Sequence, residues 1–219
     1  MNKLFLFLPL LAFSEPSHED VFSSIYQNKV WGVNEEGEGF SGGGSLVENA
    51  QPYMDFLVKF MKEHEIQSVV DVGCGDWEFS RHIDWSGIDY FGYDVVPFVI
   101  EKNIKRYGAP NIHFAFANMV SQDLPKADLL LCKHVLQHLS NKDISAFISQ
   151  FSKYKYCLIT NEVYPHILAG DNRDIATGGC HKVDLSSSPF YLQGKKVFHF
   201  KIGGSMHQVF LYESIKRVQ

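Results

Sequence analysis

Tyr53, Phe56, Leu57, Phe60 and Met61 recur at i, i+3, i+4, i+7 and i+8, so the chain from Pro52 predicts an amphipathic helix with one apolar face. Residues 66–72 follow as an apolar, β-branched run that predicts a first central strand, and Phe79 and Ile83 mark a helix after it. Residues 89–94 predict a second strand. Pro97 then opens a helix that Gly108 and Pro110 close, as first-turn proline and terminal glycine do. A third short strand falls at 112–117. A fourth, at 127–132, is apolar apart from Asp128, as expected of a strand covered on both faces. Ser140 with Asp143 forms a capping box for a helix that buries Ile144, Phe147, Ile148 and Phe151, and residues 156–160 form the fifth strand.

After Asn161 this rhythm breaks. Residues 163–195 carry glycines, prolines and serines with little periodicity, a stretch too long for an idle loop in a compact domain. Residues 197–200 and 209–212 read as two strands joined by a turn around Gly203 and Gly204. Repeated strand–helix units ending in a strand pair predict a three-layer α/β sheet. Upstream, residues 15–50 are polar and glycine-rich, with Trp31-Gly32 and the run Ser41-Gly42-Gly43-Gly44-Ser45. Flexible linkers have this composition, and so do ligand-covering lids.

The first residues read differently again. Met1-Asn2-Lys3 is a short basic start, residues 4–13 are apolar, and Ala12-Phe13-Ser14 resembles a small-x-small cleavage site. That is the pattern of a signal peptide and is too short for a spanning helix. The chain therefore divides into a signal-like segment at 1–14, an arm or lid at 15–50 and a main domain at 51–219. Any membrane contact is expected only through the first segment, if it stays uncleaved. This segment suggests secretion or membrane association, whereas a main domain that used a cytosolic cofactor would suggest the cytoplasm, and the localisation is left open.

Composition narrows the partners. At 219 residues, with 45% hydrophobic and 21% charged, the chain has the bulk for one globular domain with a sizeable core. A formal net charge of −5 gives no electrostatic reason to expect nucleic acid, and a small-molecule substrate fits better. Cys74, Cys132, Cys157 and Cys180 have no C-x-x-C spacing; three of them lie in or beside predicted strands, where buried free thiols are ordinary.

The chemistry concentrates at 69–77. An apolar strand ends there in D-x-G-x-G, placing Asp71, Gly73, Cys74 and Gly75 at the carboxyl end of a predicted parallel strand, the edge where ligands bind in open α/β sheets. Asp94 closes the second strand about 20 residues on, where a ribose-binding carboxylate is expected. A dinucleotide fingerprint would need glycine where Glu78 stands, so a pyrophosphate is disfavoured. A cofactor with an ammonium group and no phosphate suits the loop better, with its carboxylate on backbone N–H groups near Trp77. S-adenosyl-L-methionine is such a molecule.

On D-V-G-C-G at 71–75, the acidic strand end at Asp94 and A-D-L-L-L-C-K-H-V-L-Q-H-L at 127–139, the chain resembles the class I S-adenosylmethionine-dependent methyltransferases from about residue 50 onward. It also resembles a less characterised bacterial branch through Trp31-Gly32, the D-I-A-T-G at 174–178, Asp184-Leu185 and Pro189-Phe190. The resemblance implies a Rossmann-like αβα fold with a mostly parallel seven-stranded sheet and an antiparallel C-terminal strand. It implies that Gly73 and Gly75 lie against the methionine part, with Asp71 near its amino group. Asp94 would take both ribose hydroxyls, and Asn118 with Met119 would bind and cover adenine. The segment at Lys133 would offer a backbone carbonyl to the ammonium. Trp77 is expected either to stack on the ligand or to pack beneath the following helix.

The expected reaction is methyl transfer to an oxygen or nitrogen nucleophile. His134 and His138, four apart, are expected on one helix face; either could serve as a general base, while no metal is expected. Glu162, at the end of the fifth strand, faces the same edge. Trp31 and Arg173 are candidate substrate-binding residues, although Arg173 could instead pair with Asp174. Cys180-His181 is adjacent in sequence and is not expected to form a nucleophile–base pair. Two other classes stay open: a catalytically silent cofactor-binding or effector protein, motivated by the exported-looking start, and an NAD-dependent oxidoreductase, disfavoured by Glu78.

Overall fold

The computed structural model describes residues 16–164 and 172–214. The signal-like segment at 1–14 and residues 165–171 of the irregular stretch lie outside these residues. Seven strands form one sheet in the order β3-β2-β1-β4-β5-β7-β6. They are β1 (Ser68–Val72), β2 (Asp89–Asp94), β3 (Ile112–Phe116), β4 (Leu129–Lys133), β5 (Tyr156–Val163), β6 (Lys195–Ile202) and β7 (Ser205–Glu213). The first five pair in parallel; β7 runs antiparallel between β5 and β6. The chain walks outward from β1 through β2 to β3, then returns to the other side of β1 at β4. That reversal opens a crevice between the carboxyl ends of β1 and β4.

Alternation along the strands sends side chains into two apolar layers. Val70, Val72, Leu130, Cys132, Cys157 and Ile159 face one layer with Ile144 and Phe147 of α4 (Asn141–Ile148). Val69, Leu129, Leu131 and Leu158 face the other with Tyr53, Leu57, Phe60 and Met61 of α2 (Val47–Glu63). The helix α3 (Pro97–Tyr107) ends at Gly108, and Ser140 caps α4 by accepting the Asp143 N–H at 3.2 Å. Among the described residues no helix is long and apolar enough to cross a membrane.

Three sequence expectations need correction. The helix expected from Pro52 begins at Val47, so Pro52 sits in its sixth position and the division drawn at residue 50 cuts through α2. No α-helix follows β1. Gly73, Gly75 and Trp77 all have positive φ, and this winding leaves only a 3-10 turn at Ser80–His82 before Ile83 becomes extended. The polar stretch before residue 50 is also more structured than a linker. It opens with α1 (His18–Gln27), capped reciprocally by Ser17 and Asp20, whose Phe22, Ile25 and Tyr26 are buried. The rest of this arm runs through a turn and a 3-10 segment at Gly43–Ser45 across the carboxyl ends of the strands.

Candidate active site

A cavity of about 310 Å³ lies at the crevice, floored by the strand ends and roofed by the arm. The loop after β1 forms one wall. The N–H groups of Gly73 and Cys74 both donate to the Tyr93 carbonyl, at 2.7 and 3.0 Å, pinning the loop to the end of β2. The buried Asn103 of α3 donates to the Gly75 carbonyl at 2.7 Å. Glycine is required at two of these positions. At Gly73 (φ +71°) a Cβ would stand 2.3 Å from Val135 Cγ2, and at Gly75 (φ +53°) one would stand 2.1 Å from Ser41 Oγ.

Asp94 faces the cavity from the end of β2. Its two carboxylate oxygens accept from the Gly75 and Val96 N–H groups at 2.9 and 3.0 Å. Burial pushes its pKa up to about 6 against these stabilising N–H groups. Each oxygen retains a lone pair for a hydroxyl donor. Asp71 sits behind the cavity wall rather than on it. It accepts the Tyr90 hydroxyl at 2.6 Å, and burial raises its pKa to about 6.

Across the cavity, Asn118 and Met119 line the wall after β3. Asn118 Oδ1 accepts the Val120 N–H at 3.0 Å, and its amide stands 3.4 Å from His18 Nδ1 on α1. His18 Nε2 in turn lies 3.1 Å from Asp143 Oδ2. The carboxylate therefore favours the tautomer in which Nε2 carries the proton and Nδ1 accepts.

Lys133, at the end of β4, lines the cavity. It donates to the Gly44 carbonyl at 2.7 Å and stands 3.3 Å from His134 Nδ1. His134 has a positive φ of 59°, held by its N–H bond to the Thr160 carbonyl at 2.8 Å. Its Nε2 is buried without a partner, and its ring lies 4.7 Å from that of His207. Burial holds the His134 imidazole well below its ordinary range.

His138 ends a 3-10 turn at Leu136–His138, with Nδ1 2.8 Å from the Gly179 carbonyl and its ring 4.9 Å from Trp31. The two histidines are thus not on one helix face, because the chain at 134–138 winds through a left-handed residue and a 3-10 turn. Among the described residues no group of three His, Cys, Asp or Glu side chains could hold a metal.

Three other candidates stand away from the cavity. Trp77 is buried in an aromatic cluster with Tyr90, Tyr107 and Phe114, at centroid distances of 5.5, 5.2 and 5.2 Å, so it packs beneath the loop instead of stacking on a ligand. Glu162 pairs with Lys182 at 3.1 Å. Arg173 is exposed; it makes no ion pair with Asp174 among the described residues, and Asp174 instead accepts the Asn141 N–H at 2.8 Å. The sequence reading missed His18, Phe22, Tyr26, Ser41, Asp76 and Gln137, all on the cavity wall. The capping pair Ser17/Asp20 followed by Phe22, Ile25 and Tyr26 was the available signal for the first three.

The family model described as a methyltransferase domain matches residues 70–154. Residues 70–154 are a methyltransferase domain. These residues lie on the seven-stranded Rossmann-like sheet described above. The match spans the glycine loop, Asp94, Asn118 and Lys133, leaving the arm outside it. A search of curated protein sequences returned no match.

Solved structures agree on the fold. Magnesium protoporphyrin IX methyltransferase (ChlM) from Synechocystis PCC 6803 with bound SAM is 12% identical; the alignment covers 91% of this chain and 98% of that one with a TM-score of 0.60. The N-terminal domain of EvdMO1, in the presence of SAH and D-fucose, is also 12% identical, covering 91% and 99% at a TM-score of 0.56. An O-methyltransferase family protein from Burkholderia thailandensis is 14% identical, covering 78% and 58% at 0.54. The methyltransferase domain here thus shares a fold with these proteins at low identity.

Proposed function

We propose that the chain transfers the methyl group of S-adenosylmethionine to an oxygen or nitrogen nucleophile of a small-molecule acceptor, beneath the arm. The observation that carries this reading is Asp94: a buried carboxylate at a strand end, braced only by backbone N–H groups and facing the cavity. A ribose with two vicinal hydroxyls is the matching donor pair. Gly73 and Gly75 lie beside the methionine portion, their Cβ positions taken up by Val135 and Ser41, and Asn118 with Met119 takes adenine. The backbone at Lys133 serves the ammonium. Glu78 lines the same wall and pairs with Arg81 at 2.7 Å, which puts a carboxylate where a pyrophosphate would need room.

When bound, the cofactor supplies a methyl group already activated on a sulfonium. The residues of this chain then bind, align and exclude water. Trp31 and His138 form the aromatic wall for the acceptor, and the arm acts as a lid. A small acceptor is supported by the enclosure of the cavity under that arm. Titration calorimetry with S-adenosylhomocysteine tests the reading. Binding to the wild type, weakened at least about tenfold in Asp94→Asn, supports it, because each lost charge-assisted bond is worth about 1.5–3 kcal/mol. Unchanged affinity in that variant sinks it. A screen of small metabolites for S-adenosylhomocysteine release identifies the acceptor.

A further inference from the structure

We infer that Lys133 is the base that takes the acceptor's proton, acting as a neutral amine that its surroundings hold by two hydrogen bonds. This rests on the methyl-transfer reading proposed above. A neutral amine has two N–H groups and one lone pair. Two acceptors stand at Lys133 Nζ: the Gly44 carbonyl at 2.7 Å and His134 Nδ1 at 3.3 Å. With both N–H groups so used, the remaining position at Nζ has no hydrogen-bond partner among the described residues, and we place the lone pair there. Among the described residues Lys133 makes no ion pair, and the rings of Phe79 and Tyr53 flank it at 4.8 and 5.6 Å.

The other basic lone pairs on the wall are already engaged. His134 Nδ1 receives Lys133, His18 Nδ1 faces the Asn118 amide at 3.4 Å, and His138 Nε2 faces the Gln137 amide at 3.5 Å. Asp94 is assigned to the ribose in the reading above, Asp76 is held by Ser41 and Glu78 pairs with Arg81. Lys133 is what remains.

Burial favours the amine, while the Asp71 carboxylate and the faces of Phe79 and Tyr53 favour the ammonium. Burial lowers its pKa to about 7, with the buried Asp71 opposing from the neighbouring strand. His134 and His207 are both held below their ordinary range by burial, and the Tyr53 phenol is pushed up and stays neutral. A cationic sulfonium in the cavity would disfavour a second positive charge beside it. In the step itself, the bond from the acceptor atom to the methyl carbon forms as the carbon–sulfur bond breaks. The electron pair of that bond stays on sulfur, and the acceptor's proton moves to Lys133 Nζ. One positive charge leaves sulfur as another appears on nitrogen, so the buried site keeps its net charge. The ammonium returns its proton to water once the arm opens.

Three measurements test this. Wild-type protein carrying isotope-labelled lysine and saturated with S-adenosylhomocysteine is titrated by NMR, the Lys133 signal being assigned by its absence in Lys133→Met. A midpoint near 7 is expected, whereas a midpoint above about 9, towards the ordinary lysine value, overturns the inference. Calorimetry with S-adenosylhomocysteine on Lys133→Met, which also cuts the Gly44 contact of the arm, should show a loss of no more than about 30-fold; a larger loss makes Lys133 a cofactor ligand and overturns the assignment. With an acceptor from the release screen, wild-type turnover should rise with pH through a midpoint near 7. Lys133→Met should be at least about 100-fold slower and lack that limb, as loss of a general base requires; a retained limb overturns the inference. If wild type binds no S-adenosylhomocysteine, it is the methyl-transfer reading that fails.

Discussion

Ser41 and Asp76 hold each other through backbone and side chain at once. The Ser41 N–H and Oγ–H donate to the two Asp76 carboxylate oxygens at 3.1 and 2.7 Å, and the Asp76 N–H donates back to Ser41 Oγ at 3.0 Å. Tyr26 Oη completes the cluster, 2.7 Å from the same Oγ. This junction ties the arm to the glycine loop one residue beyond Gly75. Lys133 and Gly44 make a second tie across the cavity, and His18 with Asp143 makes a third at its far side.

Ser41→Ala removes the first tie while leaving the sheet untouched. Hydrogen bonds to charged groups are worth about 1.5–3 kcal/mol each, although water replaces part of that when the arm opens. Affinity for S-adenosylhomocysteine should fall about 3- to 30-fold, and limited proteolysis between residues 30 and 46 should accelerate. Thermal unfolding should shift little. Unaltered cleavage and affinity would mean that the junction does not hold the arm.

Gly75→Ala should be far more damaging. Its φ of +53° is strained for alanine, and its Cβ would stand 2.1 Å from Ser41 Oγ. The expected cost is about 1–3 kcal/mol in stability, with cofactor binding weakened at least about tenfold. Adding Ser41→Gly should recover part of the loss by relieving the clash, leaving only the backbone strain. Strict additivity in this double-mutant cycle, followed by chemical denaturation, would show that the two residues are not coupled.

On the ribose-binding role proposed for Asp94, cofactor affinity should depend on pH. Its carboxylate accepts hydroxyls only when ionised, and its pKa stands at about 6 in the free protein. S-adenosylhomocysteine affinity should therefore be flat above about pH 7 and fall about tenfold by pH 5, a change that Asp94→Asn abolishes. Calorimetry across this range reads the effect. A flat profile in wild type would remove Asp94 from the binding site.

Lys133 also costs the fold stability. Its pKa falls from 10.5 to about 7 on folding, so between these values the unfolded chain binds the proton that the native protein has given up. The cost is absent above about 10.5, grows as pH falls, and is complete below about 7. Lys133→Met should raise the Tm, and by more at pH 6 than at pH 10. Calorimetric scans at the two pH values check this; equal shifts would contradict the lowered pKa.

The core of the fold was legible because parallel strands buried on both faces leave apolar runs that need no tertiary knowledge. The runs at 66–72 and 127–132, the Pro97 to Gly108 boundaries and the Ser140 cap all carried local signals. The turn after β1 was not legible as such. Phe79 and Ile83 have helical spacing, but Gly75 and Trp77 turn left-handed first, and Trp77 buries among Tyr90, Tyr107 and Phe114. Asp94 was legible from its place at a strand end. The arm was legible as a lid from its glycine run, but the contacts that hold it were not, because Ser41 meets Asp76 across 35 residues and Gly44 meets Lys133 across 89. Glycine and serine in that run look the same whether they float free or are gripped at two points. His134 was legible as a residue but not in its role, which depends on a left-handed backbone set by the Thr160 carbonyl.

The placement of β7 bears on how the molecule assembles. Residues 205–213 lie inside the sheet, and β6, which precedes them in sequence, is the outer strand. Until β7 arrives, β5 presents an open hydrogen-bonding edge of eight residues, most of them buried in the finished protein. Pairing 156–163 with 205–213 closes a loop of some forty residues, a non-local step that slows folding. An unpaired apolar edge that persists for that interval can be paired by another chain. Recovery of soluble protein on refolding should therefore depend on protein concentration. The same insertion brings His207 beside His134, so the packing under this part of the cavity wall depends on the same non-local pairing.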